Sequence, residues 1–465
     1  MSSPAIKITP NFAIFDEIVN VEVSNLPPNA PVTIDCSIIF YKIVYIGYGH
    51  FFADNNGIVN AGSFASHGGT WTGIKPMGLF TSMINFKSQH GAPRFVIVGD
   101  ARKVVTFTVQ AWKGHLTTDE LQGLHARHAM MQTHRTYPNC GNLFHQQFLC
   151  DATVDRTYCH PDVKRIPIRV DHLSYKIRGV LFVPPGSGPF PGILDIASGA
   201  GRVEENRPAL FARHGFITLA LAYFFYEDLP KHHTLFEDMR LFDAAIDWLA
   251  GHELVQPGGV GMIGLSLATM PIMTAVVRNA KIASAICING AFIWPTDGNV
   301  TNLYYETRKA EGMSMISAIG TQEFANGMLA RKVGGKPNVP RPLLTHSHDN
   351  HIMLLFGEGE RSILIDEVTD DIIDQWHRSG KKNIRKVIVP GEGHIIEPPY
   401  MALCTTTKGT NDGLPEDNWG YMAMPYLIDW GGDHANHEEN SVFAWKTILD
   451  CFRSTLPSRR ENAKL

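Results

Sequence analysis

Ser266 ends the apolar run Val260-Gly261-Met262-Ile263-Gly264-Leu265 and is followed by Leu267-Ala268. A buried strand that enters a tight turn of small residues lifts one serine hydroxyl clear of the backbone, which is the form of a nucleophile elbow. Such a turn is strained, and the helix after it packs close to the strand. That accounts for Gly264 before the serine and for a small Ala268 after it, where the pattern ordinarily has a third glycine. The competing reading is a serine that caps a helix after a glycine turn. The motif by itself does not separate the two.

Two further strand-like runs downstream each end in polar residues fit for chemistry. Ile352-Met353-Leu354-Leu355-Phe356-Gly357 runs into Glu358-Gly359-Glu360, and Lys386-Val387-Ile388-Val389-Pro390 runs into Gly391-Glu392-Gly393-His394. A serine hydroxyl is a poor nucleophile until a neutral imidazole takes its proton, and the imidazolium so formed needs a carboxylate to orient and stabilise it. Serine, acid and histidine in that chain order are the α/β-hydrolase arrangement. The expected catalytic set is Ser266 as nucleophile, His394 as base and Glu360 as acid, with Glu358 as the neighbouring carboxylate to be distinguished from it.

The elements that must position these residues divide the chain near Lys164. Before it the reading is mostly β, with Val32 to Phe40, Phe95 to Val98 and Val104 to Trp112 rich in β-branched and aromatic residues and separated by glycine and asparagine clusters. A β-sandwich over 1–164 is expected. The stretch from about Leu116 to Thr153 breaks the pattern and reads as a long irregular insertion. From Arg165 onward strands alternate with helices, and the strands are short continuous apolar runs, as in a mostly parallel sheet covered on both faces. Expected strands are Ile193 to Ile196, Phe216 to Tyr223, the elbow strand, Ala283 to Asn289, Ile352 to Phe356 and Lys386 to Val389. Helices are expected near Arg207 to His214, Phe236 to Leu249 and Val442 to Phe452. The whole is an α/β-hydrolase domain over 165–465, a doubly wound sheet with the candidate residues at strand ends, where such folds bind ligands.

Composition bounds the function. A chain of 465 residues, 44% hydrophobic and 18% charged, with net charge -4, is an ordinary globular protein. It offers no electrostatic argument for nucleic acid or for an anionic membrane. No apolar run approaches the roughly 20 residues of a membrane span, and the N-terminus lacks the basic and apolar segments of a secretory signal, so a soluble, non-secreted protein is expected. The seven cysteines are odd in number and scattered, without a Cys-x-x-Cys pair, which points to reduced thiols rather than structural zinc. The tail Ala463-Lys464-Leu465 resembles the small-basic-leucine peroxisomal address. Recognition by the peroxisomal import receptor and a place in the peroxisomal matrix follow as expectations, with the cytosol as the alternative.

The sequence resembles the type-I acyl-CoA thioesterases and bile acid-CoA:amino acid N-acyltransferases through nearly its whole length. The resemblance is carried by Gly73-Ile74-Lys75-Pro76-Met77-Gly78-Leu79, Gly188-Pro189-Phe190-Pro191-Gly192-Ile193, Ala220-Leu221-Ala222-Tyr223, Tyr226-Glu227-Asp228-Leu229-Pro230-Lys231, Gly393-His394-Ile395-Ile396-Glu397-Pro398-Pro399-Tyr400, Trp430-Gly431-Gly432 and Ala444-Trp445-Lys446. It implies a β-sandwich followed by an α/β-hydrolase domain, and acyl-CoA as substrate. The family acid lies in a Gly-x-Asp-Asp pattern, so Gly357-Glu358-Gly359-Glu360 puts Glu360 at its second aspartate. Acyltransferases of the family have cysteine at the elbow and thioesterases have serine, so Ser266 implies hydrolysis of fatty acyl-CoA, with amino acid N-acyl transfer as the alternative. The implied oxyanion donors are backbone N–H groups of Leu267 and of Ala197 or Ser198. No cofactor is implied. Two rival readings are a metal site at His346-Ser347-His348-Asp349-Asn350-His351, where Asn350 stands in the place a metallo-hydrolase gives to aspartate, and a non-catalytic acyl-CoA-binding protein that has kept the fold, suggested by Ala268 and Glu360 together.

Overall fold

The computed structural model describes residues 2–40, 43–85, 99–133, 147–197, 201–230, 240–290, 332–333, 336–337, 350–361, 365–408 and 427–457. The N-terminal strands are β1 (Ala5–Thr9), β2 (Phe12–Ile14), β3 (Asn20–Ser24), β4 (Pro31–Phe40), β5 (Ile43–Phe52), β6 (Val59–Asn60), β7 (Ile84–Asn85), β8 (Val105–Lys113) and β9 (Phe148–Thr157). They form a three-stranded sheet, β1-β3-β6, and a six-stranded sheet, β2-β9-β8-β4-β5-β7. Val21, Val23 and Val59 of the first share a core with Val32, Ile34, Phe107 and Val109 of the second, so two sheets face each other as a sandwich. The stretch 116–153 departs from the irregular reading. It carries a helix, Thr118–Thr133, and its last residues already belong to β9. Leu121 and Leu124 are the buried apolar anchors of that helix, packed with Trp112. The sequence of this helix, with Gly123, His125 and His128 among its apolar residues, offers little helical periodicity to read.

The second group of strands is β10 (Lys164–His172), β11 (Tyr175–Val183), β12 (Gly192–Ile196), β13 (Ile217–Ala222), β14 (Val260–Leu265) and β15 (Ile282–Ile288), followed by the short hairpin β16 (Lys332–Val333) and β17 (Lys336–Pro337), then β18 (His351–Gly357) and β19 (Ile384–Val389). Eight of them form one sheet in the order β10-β11-β13-β12-β14-β15-β18-β19. Pairing is antiparallel from β10 to β13 and parallel from β13 to β19. Val180, Ile193, Ile263, Ile286 and Met353 face one side, with the helices Asn206–Arg213 and His437–Thr455. Leu181, Leu194, Met262, Ala285 and Leu354 face the other, with Arg240–Ala250, Thr269–Arg278 and Ile365–Arg378. Burial on both faces is why the inner strands β12, β13, β14, β15 and β18 are largely apolar, with Asp195, Thr218 and Ser284 as buried polar exceptions. This strand order, wound on both faces, is the α/β-hydrolase fold. Among the described residues no helix is long and apolar enough to cross a membrane.

Polar side chains join the two sheet systems. Asp16 receives Arg213 and lies 2.6 Å from His214 Nε2. Glu205 accepts from the Ala101 N–H at 3.0 Å and from Arg165 at 2.6 and 2.7 Å. Glu438, in the first turn of the helix His437–Thr455, accepts from the Met77 N–H at 3.0 Å and from Thr81 at 3.1 Å. That helix begins five residues before the expected Val442, because His437 and Glu438 are buried polar residues held by partners rather than by apolar periodicity.

Candidate active site

Every residue of β14 is buried, and the chain leaves it at Ser266 with φ of +57°, the left-handed region that side chains other than glycine rarely adopt. A short 3₁₀ turn, Ser266–Ala268, leads into the helix Thr269–Arg278. A Cβ on Gly264 would lie 2.9 Å from both Ala268 Cβ and Ile272 Cδ1. Gly264 is therefore obligatory for this turn, and it is what leaves room for Ala268 in the third-glycine place. Leu267 sits in the first turn after the strand, where N–H groups have no intrahelical acceptor. Ile196 pairs with Gly264, so the end of β12 emerges beside the elbow. Ala197 is buried and its carbonyl accepts from the Tyr223 hydroxyl at 2.9 Å. Ser198 lies outside the described residues.

Glu360 and His394 meet. The Nδ1 of His394 is 2.5 Å from Oε2 of Glu360, and both side chains are within 2% of complete burial. The His394 ring stacks on Trp430 at a centroid distance of 4.6 Å and an angle of 15°, and the backbone N–H of His394 donates to the Trp430 carbonyl at 2.8 Å. A carboxylate on Nδ1 favours the tautomer with the proton on that nitrogen and an unprotonated Nε2. Among the described residues no hydrogen bond joins Ser266 to His394. Glu358 is engaged elsewhere: its Oε2 accepts from the Gly391 N–H at 3.0 Å.

Four further residues near this pair have no role in the sequence reading: Asn289, Glu392, His437 and Trp430. Asn289, directly after β15, donates from Nδ2 to the carbonyls of Gly393 at 3.0 Å and His394 at 2.7 Å. Glu392 is buried and 2.7 Å from Nδ1 of the buried His437, whose Nε2 is 2.9 Å from the Met401 carbonyl. Burial alone would lower the His437 pKa, but the Glu392 carboxylate overrides it and raises the value. Trp430 was visible only as part of Trp430-Gly431-Gly432. The signal available for Asn289 was a polar residue closing an apolar strand.

The rival metal segment falls largely outside the described residues. Asn350 is buried and donates to the Val276 carbonyl at 3.0 Å, and His351 opens β18 at the end of the sheet opposite the elbow. Among the described residues no group of three or more histidine, cysteine or acidic side chains is placed to hold a metal ion. The described cysteines are free thiols. The tail Ala463-Lys464-Leu465 lies outside the described residues.

Residues 237–458 match the family described as BAAT / Acyl-CoA thioester hydrolase C terminal, and residues 16–170 match the Acyl-CoA thioester hydrolase/BAAT N-terminal region. The chain is 28% identical over 457 residues to acyl-coenzyme A amino acid N-acyltransferase 2 of Rattus norvegicus, covering 96% of this chain and 97% of that one. It is 27% identical over 464 residues to the peroxisomal succinyl-coenzyme A thioesterase of Mus musculus, covering 97% and 96%. It is 26% identical over 447 residues to acyl-coenzyme A thioesterase 2, mitochondrial, of Homo sapiens, covering 95% and 82%.

Proposed function

The chain belongs to the acyl-CoA thioester hydrolase/BAAT family, and on that premise we propose that it hydrolyses fatty acyl-CoA to a free acid and CoA through Ser266, His394 and Glu360. The observation that carries the reading is the buried contact between His394 Nδ1 and Glu360, at the ends of the strands that follow the one presenting Ser266. In this reading Nε2 of His394 takes the proton of Ser266 as Oγ attacks the thioester carbonyl. The C–S bond breaks, the thiolate of CoA leaves with that proton, and an acyl-serine remains. His394 then takes a proton from water, the hydroxide attacks the acyl-serine, and the acid departs as the proton returns to Ser266. Leu267 and Ala197 or Ser198 supply N–H groups to the oxyanion of each tetrahedral intermediate. The division at Lys164 gives the sandwich no reacting group in this scheme. Serine at the elbow favours hydrolysis over amino acid N-acyl transfer, the alternative named by several relatives.

The test is thiol release from a series of acyl-CoA esters by wild type, Ser266→Ala and Glu360→Ala, with phosphonate labelling of Ser266 as a companion. Turnover abolished in the first variant and strongly reduced in the second is expected, and the series gives the preferred acyl length. Labelled, folded protein that turns over no thioester points to ester or amide substrates. Folded protein that neither turns over nor labels points to a binding role.

A further inference from the structure

Asn289 is fully buried with φ of +43°, a conformation that asparagine tolerates better than most residues. Its N–H donates to the Leu355 carbonyl at 2.8 Å, continuing the pairing of β15 with β18 for one more residue. Its side chain then joins two loops. Oδ1 accepts from the Gly357 N–H at 3.0 Å, and Nδ2 donates to the carbonyls of Gly393 and His394 at 3.0 and 2.7 Å.

The pattern of donors and acceptors is selective. One face of the side chain must accept from an N–H and the other must donate to two carbonyls. Aspartate has no donor and would set a carboxylate against two carbonyl oxygens in a buried place. Glutamine is a methylene too long, and serine is too short to span the three groups. The amide acts on the chain beside the candidate catalytic pair: Gly357 opens the loop that carries Glu360, and His394 is itself one of the residues held. With the Trp430 carbonyl on its N–H and Asn289 on its C=O, the His394 residue is fixed from both sides.

We propose that Asn289 is a positioning residue that sets the Glu360–His394 contact by tying the acid loop to the His394 backbone, an inference that rests on the catalytic reading of those two residues. Its side chain is fully buried and acts only through the orientation of the imidazole.

The experiment compares wild type, Asn289→Asp and Asn289→Gly in the full chain. Glycine accepts the positive φ and deletes the amide, so it separates backbone conformation from side-chain bonding. Two readouts are taken on protein that unfolds cooperatively: kcat and KM for acyl-CoA, and the ring 15N shifts of His394, assigned by their loss in His394→Ala. Expected are a single Nδ1–H tautomer in wild type, a mixture of tautomers in both variants, and a kcat lowered about 10²-fold with KM little changed. An unchanged tautomer with unchanged kcat in folded Asn289→Gly overturns the proposal, as does failure of both variants to fold, which would make the residue merely structural. The ring shifts need no turnover. If wild type hydrolyses no thioester the functional reading falls by itself, and the shifts still decide whether Asn289 orients His394.

Discussion

His394 Nδ1 lies 2.5 Å from Glu360 Oε2 although neither residue belongs to a regular strand or helix. The contact is made by backbone packed on backbone. A Cβ on Gly357 would lie 2.2 Å from the Glu392 carbonyl oxygen, and one on Gly393 would lie 2.5 Å from that of Gly431. Gly431, at φ of +72°, is bridged to Glu360, and its own Cβ would lie 1.9 Å from the Gly359 carbonyl oxygen. Three glycine-bearing segments thus approach more closely than any side chain allows, and the acid and imidazole project from them.

Gly393→Ala should therefore disturb both stability and activity. The added methyl has only backbone to push against, so a loss of about 1–3 kcal/mol is expected. Urea denaturation and thiol-release kinetics on the same preparation check it. A variant as stable and as active as wild type would show that the segments have more play than these distances allow.

Glu360 is expected to be exacting in length as well as charge. Glu360→Gln keeps the shape and loses the charge and the defined tautomer, with a fall in kcat of about 10⁴-fold by comparison with the equivalent change in other triads. Glu360→Asp keeps the charge but withdraws it from Nδ1, and a misplacement of about 1 Å corresponds to about 10²-fold. The order wild type, Asp, Gln in kcat is the measurement. An aspartate variant faster than wild type would mean that glutamate is not fitted to this loop.

Ser266 should carry the strain of its elbow. Ser266→Gly and Ser266→Ala are both expected to be inactive toward thioesters. Glycine relieves a left-handed φ that alanine does not, so Ser266→Gly should be the more stable of the two by about 1 kcal/mol. Their midpoints in chemical denaturation decide it, and equal midpoints would remove the claim of strain.

Asp16 links the two sheet systems and gives stability a defined acid limb. Burial alone would raise its pKa, but the His214 hydrogen bond and the Arg213 charge outweigh burial and lower it from 3.8. A folded value below the unfolded one contributes stability that is complete above the unfolded pKa and lost as pH falls through the folded pKa. Asp16→Asn should cost about 3 kcal/mol near neutral pH, the low end for breaking a buried pair, because Arg213 and His214 are about a quarter exposed. The difference from wild type should shrink below pH 3.8. A difference independent of pH would assign the effect to packing.

Much of the hydrolase sheet was legible because strands buried on both faces are apolar at nearly every position, Asp195 and Ser284 being buried exceptions. The expected runs Ile193 to Ile196, Ala283 to Asn289 and Ile352 to Phe356 differ from β12, β15 and β18 only at their ends. The helix Thr118–Thr133 was not legible, since its sequence lacks a clear apolar stripe, and the first turn of His437–Thr455 was hidden because its buried residues are polar.

For the candidate site, the kinds of residue and their order are written in the chain: a serine after a strand between Gly264 and Ala268, then acids, then Gly393-His394. Spacing alone left Glu358 and Glu360 equivalent, and the family resemblance chose between them. Folding shows which carboxylate faces the imidazole, with Glu358 bound to the Gly391 N–H and Glu360 to His394. The physical reason is that a side chain on a loop points where its backbone is held, and this backbone is held by Asn289 and by the Trp430-Gly431 segment, which are remote in sequence from the residues they orient.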